Sequence, residues 1–412
     1  MIYLDATSSC RSVQNTGMQR MTRKIFAELS RRTEVTPICW NQIGRCYQTL
    51  GPTEWKLLTR PFDVRSGATA RPESRGQNPV AELARLVSRP RVQFGALTAE
   101  DIFLAPDIFH DSRRRFLPDW LSRTNARTAA IFHDATILRL TSVYQGRRRR
   151  QRYRTYTEAL SRFDAVICIS QESRGDLEEF WKKFGCKPTA TFVELWPMEF
   201  DAIRPATESN QSTNLVVYVS SLESRKNHLL LLRAAERLWK EGLSFELHLI
   251  GRTTGLSGRR VVRQVHEMQN RGYAVRWLRH VDDATLLKAY RDCRFTVYPS
   301  LMEGFGLPIA ESLWHGKPCV CGGNGALGEI AQGGGCLIVD QTSEEAFAGG
   351  MKKLLTDQET YRRLRDEARA RTFRTWKDYI DNLLTHLRSV SRESLWQWVR
   401  QTEIRGGRAN GC

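Results

Sequence analysis

Short apolar runs alternate with amphipathic segments through the second half of the chain. The runs have the length and composition of buried strands, and the segments between them repeat apolar residues at helical spacing. The predicted strands are 215–219, 245–250, 275–278 and 295–298, and the predicted helices are 228–240, 260–271 and 284–291. Strand, helix and strand in this rhythm predict a parallel sheet with right-handed crossover connections.

The first half repeats this pattern less regularly. Its predicted strands are 2–4, 102–104, 128–132 and 165–169. Between the halves, the segment 196–213 lacks periodicity and contains Pro197 and Pro205, which disfavour helix. The pattern therefore predicts two doubly wound, Rossmann-like α/β domains. We place them at residues 1–200 and 201–375, and we expect a helix that returns to the first domain and a polar tail in residues 376–412.

Length and composition agree with two domains. A chain of 412 residues is too long for one compact core. Its longest apolar stretches, such as 229–232, fall far short of the roughly 18 to 20 residues that cross a bilayer, and its first residues lack the pattern of a secretory signal. Ten cysteines are scattered without a Cys-x-x-Cys pair, which predicts reduced, buried thiols. We therefore expect a soluble, cytoplasmic protein.

The charge of the chain is strongly unbalanced, with a formal net charge of +18 and a pI near 9.7. This imbalance predicts an anionic partner, which could be nucleic acid, an acidic membrane surface or a phosphorylated substrate. The sequence has no zinc-finger spacing, RNP-like aromatic pattern or heptad-linked basic helix, so we do not expect nucleic acid. A basic, non-catalytic nucleic-acid-binding protein stays open as an alternative.

The strongest candidate for chemistry is the segment EGFGLPIAE at 303–311, which follows a predicted strand. Gly304 and Gly306 let the backbone approach a ligand closely. A helix that starts beyond the end of a parallel strand presents unpaired amides, and such a terminus attracts phosphate. Glu303 falls in the loop and Glu311 on the helix, one near each end of a bound ligand. An ordinary loop, with Glu311 favoured by the helix dipole, is the alternative.

A resemblance to a known family rests on this segment and on one other. Glu-x7-Glu in the setting EGFGLPIAE resembles the donor-site motif of retaining glycosyltransferases of family GT4, whose GT-B fold has two Rossmann-like domains facing each other across a cleft. The segment VSSLESRKNH at 219–228 is similar to the G-x-L-x-x-R-K-N segment of that family. Arg225 and Lys226 in this loop can neutralise a diphosphate. As a loop cation, Lys226 is expected to contribute little to thermal stability.

The resemblance extends into the first domain at three places. TGMQR at 16–20 is similar to the T-G-I-x-R loop that approaches the donor phosphate, which implies a donor contact at Gly17. His133 and the aspartate after it resemble the family's H-D pair, which implies that His133 faces the donor sugar. A structural histidine is the alternative. ISQES at 169–173 resembles the V-S-x-x-S start of a helix.

Two further observations concern the donor side. GGNGALGE at 322–329 is similar to the Gly-rich turn that closes on the donor sugar, which implies a contact at Gly325. The chain contains no Asp-x-Asp, the metal-chelating signature of the other large glycosyltransferase fold. We therefore expect neither a metal ion nor a cofactor. Arg225, Lys226 and the helix N-terminus would supply the positive charge that a metal ion supplies in the other fold.

The resemblance implies that some site residues bind the leaving group and that others bind the sugar. Arg225, Lys226 and the amides of residues 305–307 would stabilise the departing nucleotide diphosphate. Glu311 would hold the ribose and Glu303 the sugar hydroxyls, and the anomeric configuration would be retained. The donor would be a nucleotide diphosphate sugar, with GDP-mannose favoured over a UDP-hexose, and the acceptor a saccharide or lipid-linked saccharide. A sugar-nucleotide 2-epimerase of the same fold is the alternative enzyme.

A run of arginines lies in the first domain at 147–154, and no acidic residue occurs from 139 to 154. One interpretation is a solvated helix face. The other is a site for an anionic lipid or a lipid-linked diphosphate, since each Lys or Arg near an acidic membrane gains about 1 kcal/mol. On that interpretation, which places the protein at the inner face of the membrane, the binding residues are Arg147, Arg148, Arg149, Arg150 and Arg152. Trp396 and Trp398 are further candidates for that interface.

Overall fold

Two β-sheets organise the chain in the computed structural model, which describes residues 1–12, 17–60, 79–144, 146–198, 214–279 and 281–390. The first sheet contains β1 (Ile2–Asp5), β2 (Val35–Asn41), β3 (Cys46–Thr49), β4 (Ile102–Ala105), β5 (Arg127–Phe132), β6 (Ala165–Cys168) and β7 (Ala190–Val193). The second contains β8 (Leu215–Val219), β9 (Glu246–Ile250), β10 (Val275–Trp277), β11 (Phe295–Tyr298), β12 (Cys319–Cys321) and β13 (Cys336–Ile338). The predicted fold class, two Rossmann-like α/β domains, is confirmed.

The strand order defines where each sheet can bind a ligand. The first sheet has the order β3-β2-β1-β4-β5-β6-β7, in which β3 pairs antiparallel with β2. The second has the order β10-β9-β8-β11-β12-β13, and the pairs of its described strands are parallel. The order reverses between β1 and β4 in one sheet and between β8 and β11 in the other. Ligands of open parallel sheets bind beyond the carboxyl ends of the strands at such a reversal.

Helices cover both sheets. Those of the first domain are α1 (Gly17–Ser30), α2 (Pro52–Leu58), α3 (Pro79–Ser88), α4 (Arg113–Arg123), α5 (Thr136–Arg139), α6 (Arg147–Leu160) and α7 (Gln171–Phe184). Those that follow β8 are α8 (His228–Lys240), α9 (Gly255–Asn270), α10 (Asp283–Asp292), α11 (Leu307–Trp314), α12 (Gly325–Ala331), α13 (Glu344–Thr356), α14 (Gln358–Ala370) and α15 (Trp376–Ser389). Because helices lie on both faces, the inner strands β4, β6 and β11 are buried along their whole length.

The last described helix, α15, packs against the first domain. It contacts α1, and Asp381 Oδ1 on α15 lies 3.4 Å from Arg32 Nε. Asn382 Nδ2 donates to the buried Glu194 at 3.2 Å. The chain therefore crosses back to the first domain after the second sheet is complete.

Some sequence-based predictions fall outside the described residues. They are Thr16 of the TGMQR segment, most of the predicted boundary (199–213), the region of Trp396 and Trp398, and the C-terminal tail. Among the helices of the described ranges, none combines the length and the hydropathy that a bilayer-spanning segment needs.

Candidate functional site

The loop that follows β8 holds a buried cation. A short 3₁₀ turn (Ser224–Lys226) leads into α8, and Asn227 between them adopts a φ of +55°. Lys226 is only 7% exposed, and its Nζ donates to Tyr298 Oη at 2.8 Å. Tyr218 Oη donates to the carbonyl oxygen of Lys226 at 2.6 Å. The turn thus holds the ammonium group beside the end of β11 at the reversal of the second sheet.

Glu303 joins the two basic residues of this loop. Its Oε1 accepts from Lys226 Nζ at 2.5 Å, and its Oε2 accepts from Arg225 Nη1 at 2.5 Å. Tyr298 Oη donates to the same Oε1 at 3.1 Å, and Ser300 Oγ donates to it as well. The fold therefore brings together three predicted site residues that lie 77 and 78 positions apart in the sequence.

The electrostatics of this group are set by burial and by close charges. Burial acts to raise the pKa of Glu303, but the charges of Lys226 and Arg225 and the hydrogen bonds to Glu303 outweigh it and lower the pKa to about 2. Arg225 Nε also lies 3.1 Å from Glu223 Oε1. The basic pair is thus balanced by two carboxylates, and a diphosphate bound at this loop competes with them for the same cations.

Backbone amides at the start of α11 supply a second set of donors. Gly306 precedes the helix with a φ of +99°, which suits glycine, and Phe305 beside it is buried. Among the described residues, no acceptor is found for the amides of Phe305, Gly306 and Leu307. Unpaired amides at a helix N-terminus are suited to an anion.

Glu311 on α11 lies at the edge that faces the first domain. Tyr290 Oη donates to its Oε2 at 2.7 Å, and burial raises the pKa of Glu311. The charge of Arg20, on α1 of the first domain, counteracts that rise. A Cβ placed on Gly17 would lie 3.7 Å from Leu307 Cδ2. The described part of the TGMQR segment therefore faces α11.

His133 at the end of β5 offers a buried acceptor. It is 4% exposed, and its Nε2 lies 2.7 Å from the carbonyl oxygen of Pro106. Because a carbonyl oxygen only accepts, Nε2 carries the proton and Nδ1 is left as an acceptor, which has no partner among the described residues. Burial lowers the pKa of His133, so the ring is neutral. Gly304 approaches so closely that a Cβ there would lie 2.1 Å from the His133 carbonyl oxygen.

Gly325 begins α12 with a φ of +51°. A Cβ at this position would lie 2.9 Å from Glu172 Cδ on α7 of the first domain. The structure therefore places the Gly-rich turn at a contact between the two domains. The sugar contact implied for Gly325 stays a prediction.

The arginine run forms the first turns of α6. The side chains of Arg147, Arg148, Arg149 and Arg152 are exposed, and Arg150 Nη1 donates to the Tyr144 carbonyl oxygen at 3.1 Å. Burial, together with the charges of Arg115 and Arg152, lowers the pKa of Arg114 on α4. We define the basic surface as Arg114, Arg115, Arg147, Arg148, Arg149, Arg150 and Arg152. The sequence did not indicate that α4 contributes to it.

A groove of about 260 Å³ lies beside the basic surface, between α6 and α7. Arg147, Arg150 and Lys183 contribute cations to its lining, and Phe180 and Phe184 contribute aromatic rings. The groove therefore combines positive charge with apolar surface, as an amphiphilic anion would require.

Comparison with known sequences finds relatives among glycosyltransferases. Residues 199–371 match the sequence model of the family described as "Glycosyl transferases group 1". The O-antigen chain mannosyltransferase B of Escherichia coli is 27% identical over 267 residues, which cover 61% of this chain and 66% of that protein. A serotype-specific mannosyltransferase WbdA of Escherichia coli is 23% identical over 359 residues, which cover 80% of this chain and 40% of that protein. The chain thus spans less than two thirds of the length of these relatives.

Solved structures confirm the architecture. Sucrose-phosphate synthase from Thermosynechococcus elongatus superposes with a TM-score of 0.67 at 18% identity, over 94% of this chain and 98% of that chain. HepE from Anabaena, in complex with UDP and glucose, gives a TM-score of 0.60 at 16% identity, over 90% of this chain and 93% of that chain. The chain has the GT-B fold. The fold and the match over residues 199–371 together make the chain similar to GT4-like, group 1 glycosyltransferases.

The sequence patterns did not predict several residues that form hydrogen bonds with the predicted site residues. Tyr298 and Ser300 both donate to Glu303, and Tyr290 donates to Glu311. Tyr298 could have been found, because it ends the strand that precedes the EGFGLPIAE segment. Tyr290 gave no such signal, because its hydroxyl meets Glu311 from a neighbouring helix.

Proposed function

We propose that this chain transfers a hexose from a nucleotide diphosphate sugar to a saccharide or lipid-linked acceptor in polysaccharide or lipopolysaccharide biosynthesis. The observation that carries the proposal is the buried group of Arg225, Lys226 and Glu303 at the reversal of the second sheet. Mannose from GDP-mannose is the donor that we favour, because relatives named as mannosyltransferases match the chain. A UDP-hexose is the alternative donor.

In the proposed mechanism the donor diphosphate lies against Arg225, Lys226 and the amides at the start of α11. These preorganised positive groups stabilise the charge that grows as the bond from the anomeric carbon to the diphosphate oxygen breaks. The acceptor hydroxyl attacks the anomeric carbon from the leaving-group side, and a phosphate oxygen takes its proton. The configuration is therefore retained without a covalent enzyme intermediate.

The carboxylates and His133 serve to orient the donor. Glu303 Oε1 already accepts three hydrogen bonds, which supports a positioning role rather than a nucleophilic one. The sugar hydroxyls contact Glu303 and His133, whose unprotonated Nδ1 can accept a hydrogen bond. Glu311 holds the ribose, with one of its oxygens fixed by Tyr290.

The proposed transfer needs no metal ion, because Arg225 and Lys226 supply the positive charge at the leaving group. Turnover of GDP-mannose, measured as GDP release in the presence of a saccharide acceptor, should therefore persist in excess EDTA. If EDTA abolished turnover and Mn²⁺ or Mg²⁺ restored it, metal independence would be refuted. If no nucleotide sugar were turned over in either condition, the proposed function itself would fail.

The basic surface is proposed to hold a membrane-borne or diphosphate-bearing acceptor, at the inner face of the membrane. Replacing Arg148, Arg149 and Arg150 with Ser removes three positive charges, so vesicle affinity should fall by about 3 kcal/mol, or roughly 100-fold. The apparent Michaelis constant for the acceptor should rise while donor binding is unchanged. Vesicles that contain anionic lipid provide the measurement, and the loss should shrink as added salt shortens the screening length of about 8 Å.

The matched control replaces Arg259, Arg260 and Arg263, which are exposed on α9 of the second domain, with Ser. This variant loses the same net charge at a different surface. Equal vesicle binding by the two triple variants would show that only net charge matters. Unchanged vesicle binding and acceptor kinetics in the α6 variant would reduce the arginine run to a solvated helix face.

A further inference from the structure

A carboxylate of the second domain caps a helix of the first. Glu329 on α12 accepts hydrogen bonds from the backbone amides of Gln171 at 2.9 Å and Glu172 at 2.7 Å. These are the first two residues of α7, whose amides have no partner within their own helix. The bonds join residues 158 and 157 positions apart. The negative charge of Glu329 is favoured there by the positive end of the α7 dipole.

The contact is reciprocal and extends to the site. Glu172 lies against Gly325 at the start of α12, so each helix start meets a carboxylate on the other helix. Ser170, which precedes α7, donates through Oγ to the carbonyl oxygen of Gly304 at 2.8 Å. Gly304 follows Glu303 in the chain. The start of α7 is therefore bonded to both the Gly-rich turn and the loop that carries the site.

We propose that Glu329 is a positioning residue that clamps the donor domain onto the acceptor domain for transfer. The inference rests on the proposed function, in which the donor binds at β8 and β11 and the acceptor at the first domain. The angle between the domains then sets the distance from the acceptor hydroxyl to the anomeric carbon. A misplacement of about 1 Å at a reacting centre can cost roughly 100-fold in rate. Glu329 acts through this geometry and not through contact with the donor.

Two substitutions weaken the hydrogen bonds between Glu329 and the start of α7, one on the acceptor side and one on the donor side. Glu329→Gln keeps the shape of the side chain, but one of the two amides then faces an amide nitrogen that cannot accept its hydrogen bond. Gln171→Pro deletes one donor without altering Glu329, because proline is favoured at the first position of a helix. The preceding residue, Ser170, has a φ of −159° and a ψ of 163°, which a following proline tolerates. Glu345→Gln, an exposed acid in the first turn of α13, is the matched control.

The clamp predicts a split between kcat and donor binding. Glu329→Gln and Gln171→Pro should each lower kcat by about tenfold, a fraction of the rate that orientation can supply, while the dissociation constant for GDP changes less than about twofold. The melting temperature of Gln171→Pro should change little, because the restriction that proline places on the unfolded chain offsets part of the lost hydrogen bond to Glu329. Small-angle X-ray scattering should show a larger radius of gyration for both variants than for the wild type and Glu345→Gln.

Other outcomes overturn the proposal or separate it from the proposed function. Wild-type kcat and wild-type scattering in both variants would reduce Glu329 to an ordinary helix cap. A loss of GDP affinity in parallel with kcat would place Glu329 in donor binding instead. If the wild type transferred no sugar, the proposed function would fail, and the scattering comparison would still decide whether Glu329 holds the domains together.

Discussion

Replacing Lys226 with Met or Ala is expected to lower turnover about 100- to 1,000-fold, or roughly 2.7 to 4 kcal/mol of barrier. That is the scale for deleting one preorganised group that stabilises developing charge. Lys226 Nζ is held by Tyr298 and Glu303, so its position is fixed before the donor bond breaks. The measurement is kcat for GDP-mannose, at a temperature where the variants are folded.

The stability of these variants should change as well. The sequence-based expectation that Lys226 matters little for thermal stability assumed an exposed loop cation, whereas the side chain is 7% exposed and paired with Glu303. Removing one partner of a buried ion pair costs about 3 kcal/mol or more, and Lys226→Met retains most of the apolar stem. Lys240→Met is the control, because Lys240 pairs with Glu236 at the surface. Wild-type turnover in folded Lys226→Met would remove Lys226 from the proposed mechanism.

Glu303→Gln should have the second largest effect, and it should separate turnover from product affinity. With the carboxylate neutralised, the sugar and Lys226 lose a fixed partner, so kcat should fall roughly 100-fold, the cost of a misplacement of about 1 Å. GDP affinity should stay the same or increase, because the diphosphate no longer competes with Glu303 for the cations. The test compares the GDP dissociation constant from isothermal titration calorimetry with kcat, for the wild type and for Glu303→Gln. A parallel loss of GDP affinity would contradict this account of the charge balance.

The control for this variant is Glu223→Gln, which removes a carboxylate that contacts Arg225 in the same cluster. Glu223 lies before the 3₁₀ turn and is not proposed to touch the sugar. Its replacement should therefore leave kcat much closer to that of the wild type. Equal losses in the two variants would show that total charge, rather than the position of Glu303, controls turnover.

The pairing of Glu303 with Lys226 and Arg225 predicts how the stability of the folded chain depends on pH. The pKa of Glu303 is lowered from 4.5 to about 2 in the folded chain. A carboxylate with a lowered pKa contributes stability that is present above the unfolded pKa and is lost as the pH falls through the folded value. The difference in unfolding free energy between wild type and Glu303→Gln should therefore be complete above about pH 4.5 and shrink towards pH 2. A pH-independent difference in urea unfolding would contradict the pairing.

Much of the second domain could be predicted because each strand is a short apolar run and each helix a periodic one. The predicted segments 215–219 and 295–298 coincide with β8 and β11, and 228–240 coincides with α8. The strands of the first domain were harder to predict from the sequence. β2 is interrupted by Thr36 and Pro37 and ends at the polar Asn41, and β3 is a short antiparallel strand at the edge of the sheet. Neither strand forms an uninterrupted apolar run.

The site could be predicted as a set of segments but not as a set of contacts. Two sequence motifs identified Glu303 and the basic pair, but their pairing depends on β8 and β11 lying side by side in the sheet. The burial of Lys226 depends on Tyr298, which packs under it from the neighbouring strand. The bond from Glu329 to α7 depends on how the two domains meet. Periodicity and local motifs carry no information about such contacts.

The most direct test of the central claim is a thermal-shift screen of GDP- and UDP-sugars against the wild type and Lys226→Met. A ligand at about 100 times its dissociation constant stabilises the folded chain by about 2.7 kcal/mol. We expect at least one nucleotide sugar, with GDP-mannose first, to raise the melting temperature of the wild type, and we expect Lys226→Met to lose most of that rise. A folded wild type that no nucleotide sugar stabilises would contradict the assignment of this chain as a nucleotide-sugar-dependent transferase.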